Sequence, residues 1–260
     1  IARTERLHAQ VARDEAQREL LEASTQVNIA ERAVAGLFGH PTPVTPDSPL
    51  FMLTSPLPPL AQFVAAAEED HPALALLHAK HEQAKAGVAA ARGKLKPEIY
   101  LFGVKELDRG DLTLLEPDWA AGVGMKLVLF DRNDRTHRIT SARLQARQIE
   151  LLTTDLRNNL RVLVEQAHRE AELARQQFAS LESTLELTRE NLRVRNLAFQ
   201  EGQSTSLDVV DARLALQRAQ TARALAAARY DIALARLLEA SGQPDRYHDY
   251  AARASHRLSP

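Results

Sequence analysis

The stretch Phe199-Gln200-Glu201-Gly202-Gln203-Ser204-Thr205-Ser206-Leu207-Asp208-Val209-Val210-Asp211-Ala212 holds the residues most able to do chemistry. Two carboxylates, Asp208 and Asp211, stand three residues apart, which puts both on one face of a helix. Gly202 suits the left-handed backbone that ends a helix. Thr205, with Asp208 three residues on, forms a capping-box pattern that opens the next helix. The segment therefore predicts a helix, a turn of a few residues and an antiparallel return. On residue chemistry alone, acids at a helix start are stabilised by the helix dipole and need no further role. His71, His78 and His81, with Glu82 beside them, are the other candidates, since 78 and 81 share a helix face as two metal ligands would. Two histidines at that spacing are a common accident, and no metal site or cofactor is expected. No glycine-rich phosphate loop, Ser/His/Asp arrangement or nucleophile elbow occurs, so an enzyme is not expected.

The elements that must position the tip are long. The apolar stripe Ile149, Leu152, Leu156, Leu160, Leu163, Ala167, Ala171, Ala174, Phe178, Leu181, Leu185, Thr188, Leu192 covers 43 residues in 12 steps, or about 3.6 per step. That period fits a nearly straight helix from about Arg132 to Phe199, roughly 100 Å at 1.5 Å per residue. No single globular core needs such a helix, so it must lie along partner helices. Ser204–Ala240 returns with alanine at 212, 215, 219, 222, 224, 226, 227, 228, 233, 235 and 240. Leu207, Val210, Leu214, Leu225, Ile232 and Leu238 form its main apolar side, with Leu216 and Leu234 off it. Two apolar sides suit a stave in a closed barrel.

Upstream, residues 2–38 read as a helix. Prolines at 41, 43, 46, 49, 56, 58 and 59 make 40–59 a surface-hugging linker. Leu60–Gly93 reads as helix, broken near His71-Pro72 because the residue before proline avoids the helical basin. Two strands follow, Glu98–Val104 and Trp119–Phe130. The second alternates Trp119, Ala121, Val123, Met125, Leu127 and Leu129 against Ala120, Gly122, Gly124, Lys126, Val128 and Phe130. A membrane barrel strand alternates in this way, and so does a half-buried hairpin packed on helices. Lys126 suits either a wet lumen or a membrane rim reached by snorkelling.

Composition narrows the class. The chain has 260 residues, a formal net charge of -1 and 26 % charged residues, which argues against a nucleic-acid binder using a basic field. Cysteine is absent, so neither a disulfide nor a thiolate metal site exists. No run of about 18 apolar residues is present, so no transmembrane helix is expected. The chain opens on no leader segment but inside an amphipathic pattern, Leu7, Val11, Leu20, Val27, Val34. A shift of about 203 residues aligns Ala9 with Ala212, Ala16 with Ala219, Gln17 with Gln220, Ile29-Ala30 with Ile232-Ala233, Gly39 with Gly242 and Pro41 with Pro244. Two alanine-rich amphipathic helices can also match in this way by chance; read as an internal repeat, the alignment makes Ile1 correspond to Ser204 and predicts a copy truncated of most of its first repeat.

The tip motif resembles the G-x-x-[ST]-x-x-D-V-x-D-A pattern of TolC-like outer membrane efflux proteins. Trp119-Ala-Ala-Gly122-Val-Gly124-Met-Lys-Leu-Val-Leu129-Phe130-Asp131 is similar to that family's W-x-x-G-x-x-x-x-x-P-L-F-D strand, with Val128 where proline often stands. Tyr230-Asp231-Ile232-Ala233-Leu234-Ala235-Arg236-Leu237-Leu238 resembles its Y-x-x-A-L-A-x-L-L ending.

The resemblance implies a mainly α fold, with very long antiparallel helices as staves of an α-barrel and two β-strands given to a trimeric transmembrane β-barrel. It implies segments 1–39 (returning helix), 40–59 (linker), 60–97 (helical segment of the second repeat), 98–130 (hairpin), 131–242 (helical hairpin with its periplasmic tip near 200–206) and 243–260 (C-terminal tail). It also implies a passive channel of the outer membrane extending into the periplasm, serving a tripartite efflux or type I secretion-like system. The implied partners are two further copies, a periplasmic adaptor, an inner-membrane pump and outer membrane lipid. Asp208 and Asp211 would line the narrow entrance, where threefold rings of carboxylates concentrate cations and raise one another's proton affinity. Phe199, Gly202 and Ser204 stand at gate positions, although phenylalanine lacks the hydroxyl and serine the guanidinium that some members use there. Gly202, Gln203, Thr205, Ser206 and Leu207 would meet the adaptor, and Trp119, Val123, Met125, Leu127 and Leu129 would face lipid. The competing expectation is a soluble antiparallel coiled-coil scaffold without a pore, in which the Trp119–Leu129 face is buried on protein.

Overall fold

The structure, a computed structural model, describes residues 3–105, 119–127 and 135–258. Four long helices dominate: α1 (Arg3–Leu37), α3 (Pro72–Gly93), α4 (Arg135–Gln200) and α5 (Ser206–Ala240). A short α2 (Leu60–Asp70) precedes α3, and the two are separated at His71 as the proline predicts. His71 takes extended backbone, and its Nδ1 accepts the Ala73 N–H at 3.2 Å. It is the cap of α3, which uses one of the three histidines raised as ligands. The 66 residues of α4 run without a break, as its period requires.

The chain forms two units. The first comprises residues 1–67 and 162–260. Its core joins Phe51, Met52, Leu53 and Leu57 to Phe63 and Ala67, to Val164, Ala171 and Phe178 of α4, and to Ala227, Tyr230, Leu234, Leu237 and Leu238 of α5. Residues 40–59, expected to be linker throughout, contain a strand, β1 (Leu50–Met52). The segment expected as a tail, 243–260, is folded: a 3-10 turn (Pro244–Arg246), α6 (Tyr247–Ala252) and β4 (His256–Leu258). β4 pairs antiparallel with β1, Phe51 opposite Arg257. Proline density hid β1, because prolines flank the apolar run Leu50-Phe51-Met52-Leu53 without entering it.

Side chains of the helices satisfy the backbone of this proline-rich segment, whose own hydrogen bonds must go somewhere once it is buried. Glu172 accepts the Leu57 N–H at 2.7 Å and pairs with Arg175 at 2.9 Å. Arg175 donates to the Thr54 carbonyl at 2.9 Å, and Asp231 accepts the Phe51 N–H at 3.1 Å. His168 Nε2 lies 2.9 Å from the Pro58 carbonyl.

The face of α5 packed inside the chain is its alanine side, with Ala212, Ala219, Ala226, Tyr230, Ala233 and Leu237 buried. Leu225 and Ile232, from the side expected to be the main one, are exposed. Leu238, from that same side, is buried, so the chain buries the small-residue side of α5 along its length and the other side only near the C-terminal end. On α1, Leu7, Val11, Leu20, Leu21, Val27 and Ile29 are exposed.

The second unit, residues 68–161, carries the hairpin. β2 (Glu98–Lys105) pairs antiparallel with β3 (Trp119–Lys126), from Glu98 opposite Lys126 to Lys105 opposite Trp119. Within this unit Glu68 pairs with Arg161 at 2.9 Å, and His81 Nε2 lies 3.9 Å from Glu150.

Candidate functional site: the helical tip and the exposed hairpin

The tip is built by a helix stop and a helix start in close succession. At the stop, Gly202 adopts φ 75°, the Gln203 N–H donates to the Ala198 carbonyl at 2.8 Å, and the Gly202 N–H donates to Phe199 at 3.1 Å. This is the six-to-one and five-to-two pair of a Schellman ending, and the left-handed residue between them must be one without a Cβ penalty. At the start, Thr205 is the N-cap and its hydroxyl accepts the Asp208 N–H at 3.2 Å. Oδ2 of Asp208 returns the bond, accepting from the Thr205 N–H at 2.9 Å, the Thr205 hydroxyl at 2.8 Å and the Ser204 hydroxyl at 3.0 Å.

These bonds fix the charge of Asp208. Hydrogen bonds from the Thr205 backbone, then from the Thr205 and Ser204 hydroxyls, hold its carboxyl below the usual carboxylate range. All three polar groups lie within one cluster, so Ser204, Thr205 and Asp208 act together. Asp211, one turn on, is exposed and makes no ion pair among the described residues. Phe199 is also exposed, as are Gln203 and Gly202, while Ser206 and Leu207 are partly covered.

In the hairpin, register sorts the side chains of the two strands into common faces. Ile99 opposes Met125 and Leu101 opposes Val123, and Lys105 opposes Trp119 on the same face at the far end. All these large apolar side chains are exposed, Leu101 by 81 %. Leu127 lies just past the end of β3, and Leu129 lies outside the described residues. On the other face Tyr100 opposes Gly124 and Phe102 opposes Gly122. The rings lie directly over these glycines: a Cβ at Gly124 would stand 2.5 Å from Tyr100 Cζ, and one at Gly122 would stand 2.9 Å from Phe102 Cζ. Glycine here accepts an aromatic ring from the neighbouring strand. A half-buried hairpin would cover its apolar face with protein, and this chain leaves it open.

Sequence reasoning did not find the clamp of Glu172, Arg175 and Asp231. Only Asp231 carried a signal, as a carboxylate inside the apolar ending Tyr230–Leu238. Nor did it find the basic residues around the helix-side end of the hairpin, because Lys94, Lys96, Lys126 and Arg138 are scattered in the chain.

Long helices and a two-stranded hairpin with an open apolar face are the main features of this chain. The chain matches the model of the outer membrane efflux protein family over residues 64–243, and it belongs to that family. The family is one of channels, not enzymes, and membership places the chain at the outer membrane, extending into the periplasm. Among solved structures, the chain is similar to the open state of the Neisseria gonorrhoeae MtrE outer membrane channel, at TM-score 0.76 and 22 % identity over 93 % of this chain and 56 % of that one. It is similar to the Campylobacter jejuni CmeC outer membrane channel, at TM-score 0.75 and 14 % identity over 98 % and 57 %. It is also similar to the outer membrane protein VceC of Vibrio cholerae, at TM-score 0.70 and 16 % identity over 93 % and 59 %. The chain thus spans 56 % to 59 % of the length of these structures. No curated protein sequence matches it at a significant level.

Proposed function

We propose that the chain contributes to a passive conduit from the periplasm to the exterior, the outer membrane component of a tripartite efflux or type I secretion-like system. The observation that carries this reading is the hairpin: Ile99, Leu101, Val123 and Met125 form one exposed apolar face on a two-stranded unit. Water disfavours such a face, and lipid accepts it. Each described strand has eight residues, just under the roughly 9–11 that a tilted strand needs to cross a bilayer. The two described strands cannot close a barrel alone, so further strands must join them, and a homotrimer is the proposed assembly. The exposed apolar residues of α1 and the open side of α5 support lateral packing of helices between copies.

At the tip, Asp208 and Asp211 are proposed to ring the periplasmic entrance, with Phe199, Gly202 and Ser204 at the gate. Asp208 supports this because its cap keeps it ionised while Oδ1 makes no hydrogen bond among the described residues. The exposed turn Gly202–Leu207 is the proposed contact for a periplasmic adaptor, itself joined to an inner-membrane pump.

Single-channel conductance of the complete polypeptide in a planar bilayer tests the reading. Cation-selective openings are expected, with selectivity reduced in Asp208→Asn/Asp211→Asn. Conductance that the substitutions leave unchanged would move the filter elsewhere. A protein that gives no openings and needs no detergent would overturn the conduit.

A further inference from the structure

A tight turn after α3 sets two lysines close together. The Lys94 N–H donates to the Ala90 carbonyl at 3.2 Å, that of Leu95 to Arg92 at 3.0 Å and that of Lys96 to Gly93 at 2.9 Å. Pro97 has no N–H to continue the series, and the chain leaves as β2. Lys94 and Lys96 line a cleft of about 690 Å³ within the second unit, with Lys126 from the end of β3 and Arg138 from the first turn of α4. One carboxylate, Glu98, joins them. Glu98 opposes Lys126 in the ladder, yet none of the five forms an ion pair among the described residues. Gly87, Ala90 and Ala91 of α3 complete the wall and, being small, leave room for a ligand.

Cations at a helix C-terminus have an ordinary explanation, since the dipole places about half a negative charge there. That term accounts for part of Lys94 and Lys96. It does not account for Arg138, which sits in the first turn of α4, where a positive charge is disfavoured and no acid accompanies it. Four cations and one carboxylate leave three formal positive charges around one small cleft.

The strand register decides which side of the hairpin the cleft serves. Alternation puts Glu98, Tyr100 and Phe102 on one face of β2, and the ladder puts Lys126, Gly124 and Gly122 on that same face. Ile99, Leu101, Val123 and Met125 occupy the other, exposed apolar face. Strands of a membrane barrel alternate between lipid and lumen, so with the apolar face in lipid the face bearing Glu98 and Lys126 borders the water-filled duct. These two residues bring the cleft to that side. We propose that Lys94, Lys96, Lys126 and Arg138 form a binding station for a multivalent oxyanion, the phosphate or carboxylate groups of an anionic solute in transit. Lysine and arginine lining a pore favour such groups, and arginine adds two parallel donors to one of them. The inference rests on the conduit reading and assigns a solute class that this reading leaves open. It is separable from the acidic tip, because the tip is read by ion selectivity and the station by block.

The test is single-channel recording of the complete polypeptide in a neutral planar bilayer, with inorganic triphosphate added as the probe. Block of the wild-type current is expected, with the half-blocking concentration raised about tenfold in Lys94→Gln/Lys96→Gln/Lys126→Gln/Arg138→Gln and unchanged in the control Lys80→Gln/Lys85→Gln. If the fourfold variant gives no openings, Lys126→Gln and Arg138→Gln are each expected to raise it about twofold. A second arm reads the face directly. The 260 residues contain no cysteine, so Lys126→Cys and Met125→Cys each add one thiol, and the wild type controls for the reagent. A membrane-impermeant anionic methanethiosulfonate is expected to modify Lys126→Cys and reduce its current, and to leave Met125→Cys unchanged. No block of the wild type, or equal block of wild type and variants, would overturn the station and leave the conduit reading intact. A raised half-blocking concentration in the control would also overturn it, by showing a diffuse field. Modification of Met125→Cys in place of Lys126→Cys would reverse the two faces and overturn it as well. Absence of openings from the wild type would overturn the conduit reading itself, and the station with it.

Discussion

Oδ2 of Asp208 takes three hydrogen bonds from the turn that precedes it, and each stabilises the charged form. Its carboxyl therefore titrates below the ordinary value of 3.8. A lowered folded-state value contributes stability that is present above that ordinary value and lost as pH falls beneath it. Thr205→Ala removes the reciprocal cap and is expected to destabilise the protein by about 1 kcal/mol, read from the urea midpoint at neutral pH. It should also shrink the loss of stability on the acid side. Asp231 behaves in the opposite sense. It is 8 % exposed, one carboxylate oxygen has no partner, and burial pushes its carboxyl up to about 6 although the Phe51 N–H pulls the other way. A raised value means stability that is full below 3.8 and lost as pH rises through about 6. Asp231→Asn keeps an oxygen for Phe51 and removes the charge. The variant should gain on the wild type between these limits, by up to about 3 kcal/mol at neutral pH. A wild-type minus variant difference that stays flat from pH 4 to 7 would refute the assignment.

Three helices end in the same way. Gly39, Gly202 and Gly242 have φ of 65°, 75° and 73°. The residue after each donates back five positions: His40 to Ala35, Gln203 to Ala198 and Gln243 to Leu238, all at 2.8 Å. Two of the three, Gly39 and Gly242, are aligned by the shift of about 203 residues, and each is followed by a short strand, β1 or β4, that pairs with the other. Alanine at Gly202 meets no atom, so its cost is backbone strain alone, about 1–2 kcal/mol in thermal unfolding. Gly87, inside α3 with open space beside it, should respond oppositely: Gly87→Ala is expected to stabilise by about 0.5–1 kcal/mol. Elements of this kind were legible in the sequence because their signals are local. The stop at Gly202, the break at His71-Pro72, the cap at Thr205 and the period of α4 each depend on neighbours a few residues away. β1 and β4 were not legible, since their pairing joins Leu50 to Leu258 and is decided by a core that no local pattern describes. The same holds for α5, where Tyr230, the alanines and Leu234, Leu237 and Leu238, not the leucines at 207, 214 and 225, meet the chain's own core.

At the scale of the molecule, the surfaces left open carry the functional argument, and those surfaces depend on what assembles around them. The alternation of β3 showed in the sequence that one strand face is apolar. Whether protein or lipid covers that face could not follow from the alternation, and the exposure of Leu101 and Val123 bears on it. The cleft lined by Lys94, Lys96, Lys126 and Arg138 lay beyond reach because Lys96, Lys126 and Arg138 are far apart in the chain. The way Tyr100 and Phe102 recline over Gly124 and Gly122 bears on width. In a closed cylinder of such hairpins, that face would be papered with rings lying flat, and its clearance would follow ring thickness instead of ring length. A methyl group at 124 would tilt the phenol off the wall and swing its hydroxyl towards the axis. The calibre of the proposed duct would then be governed by two places where the chain carries no side chain at all.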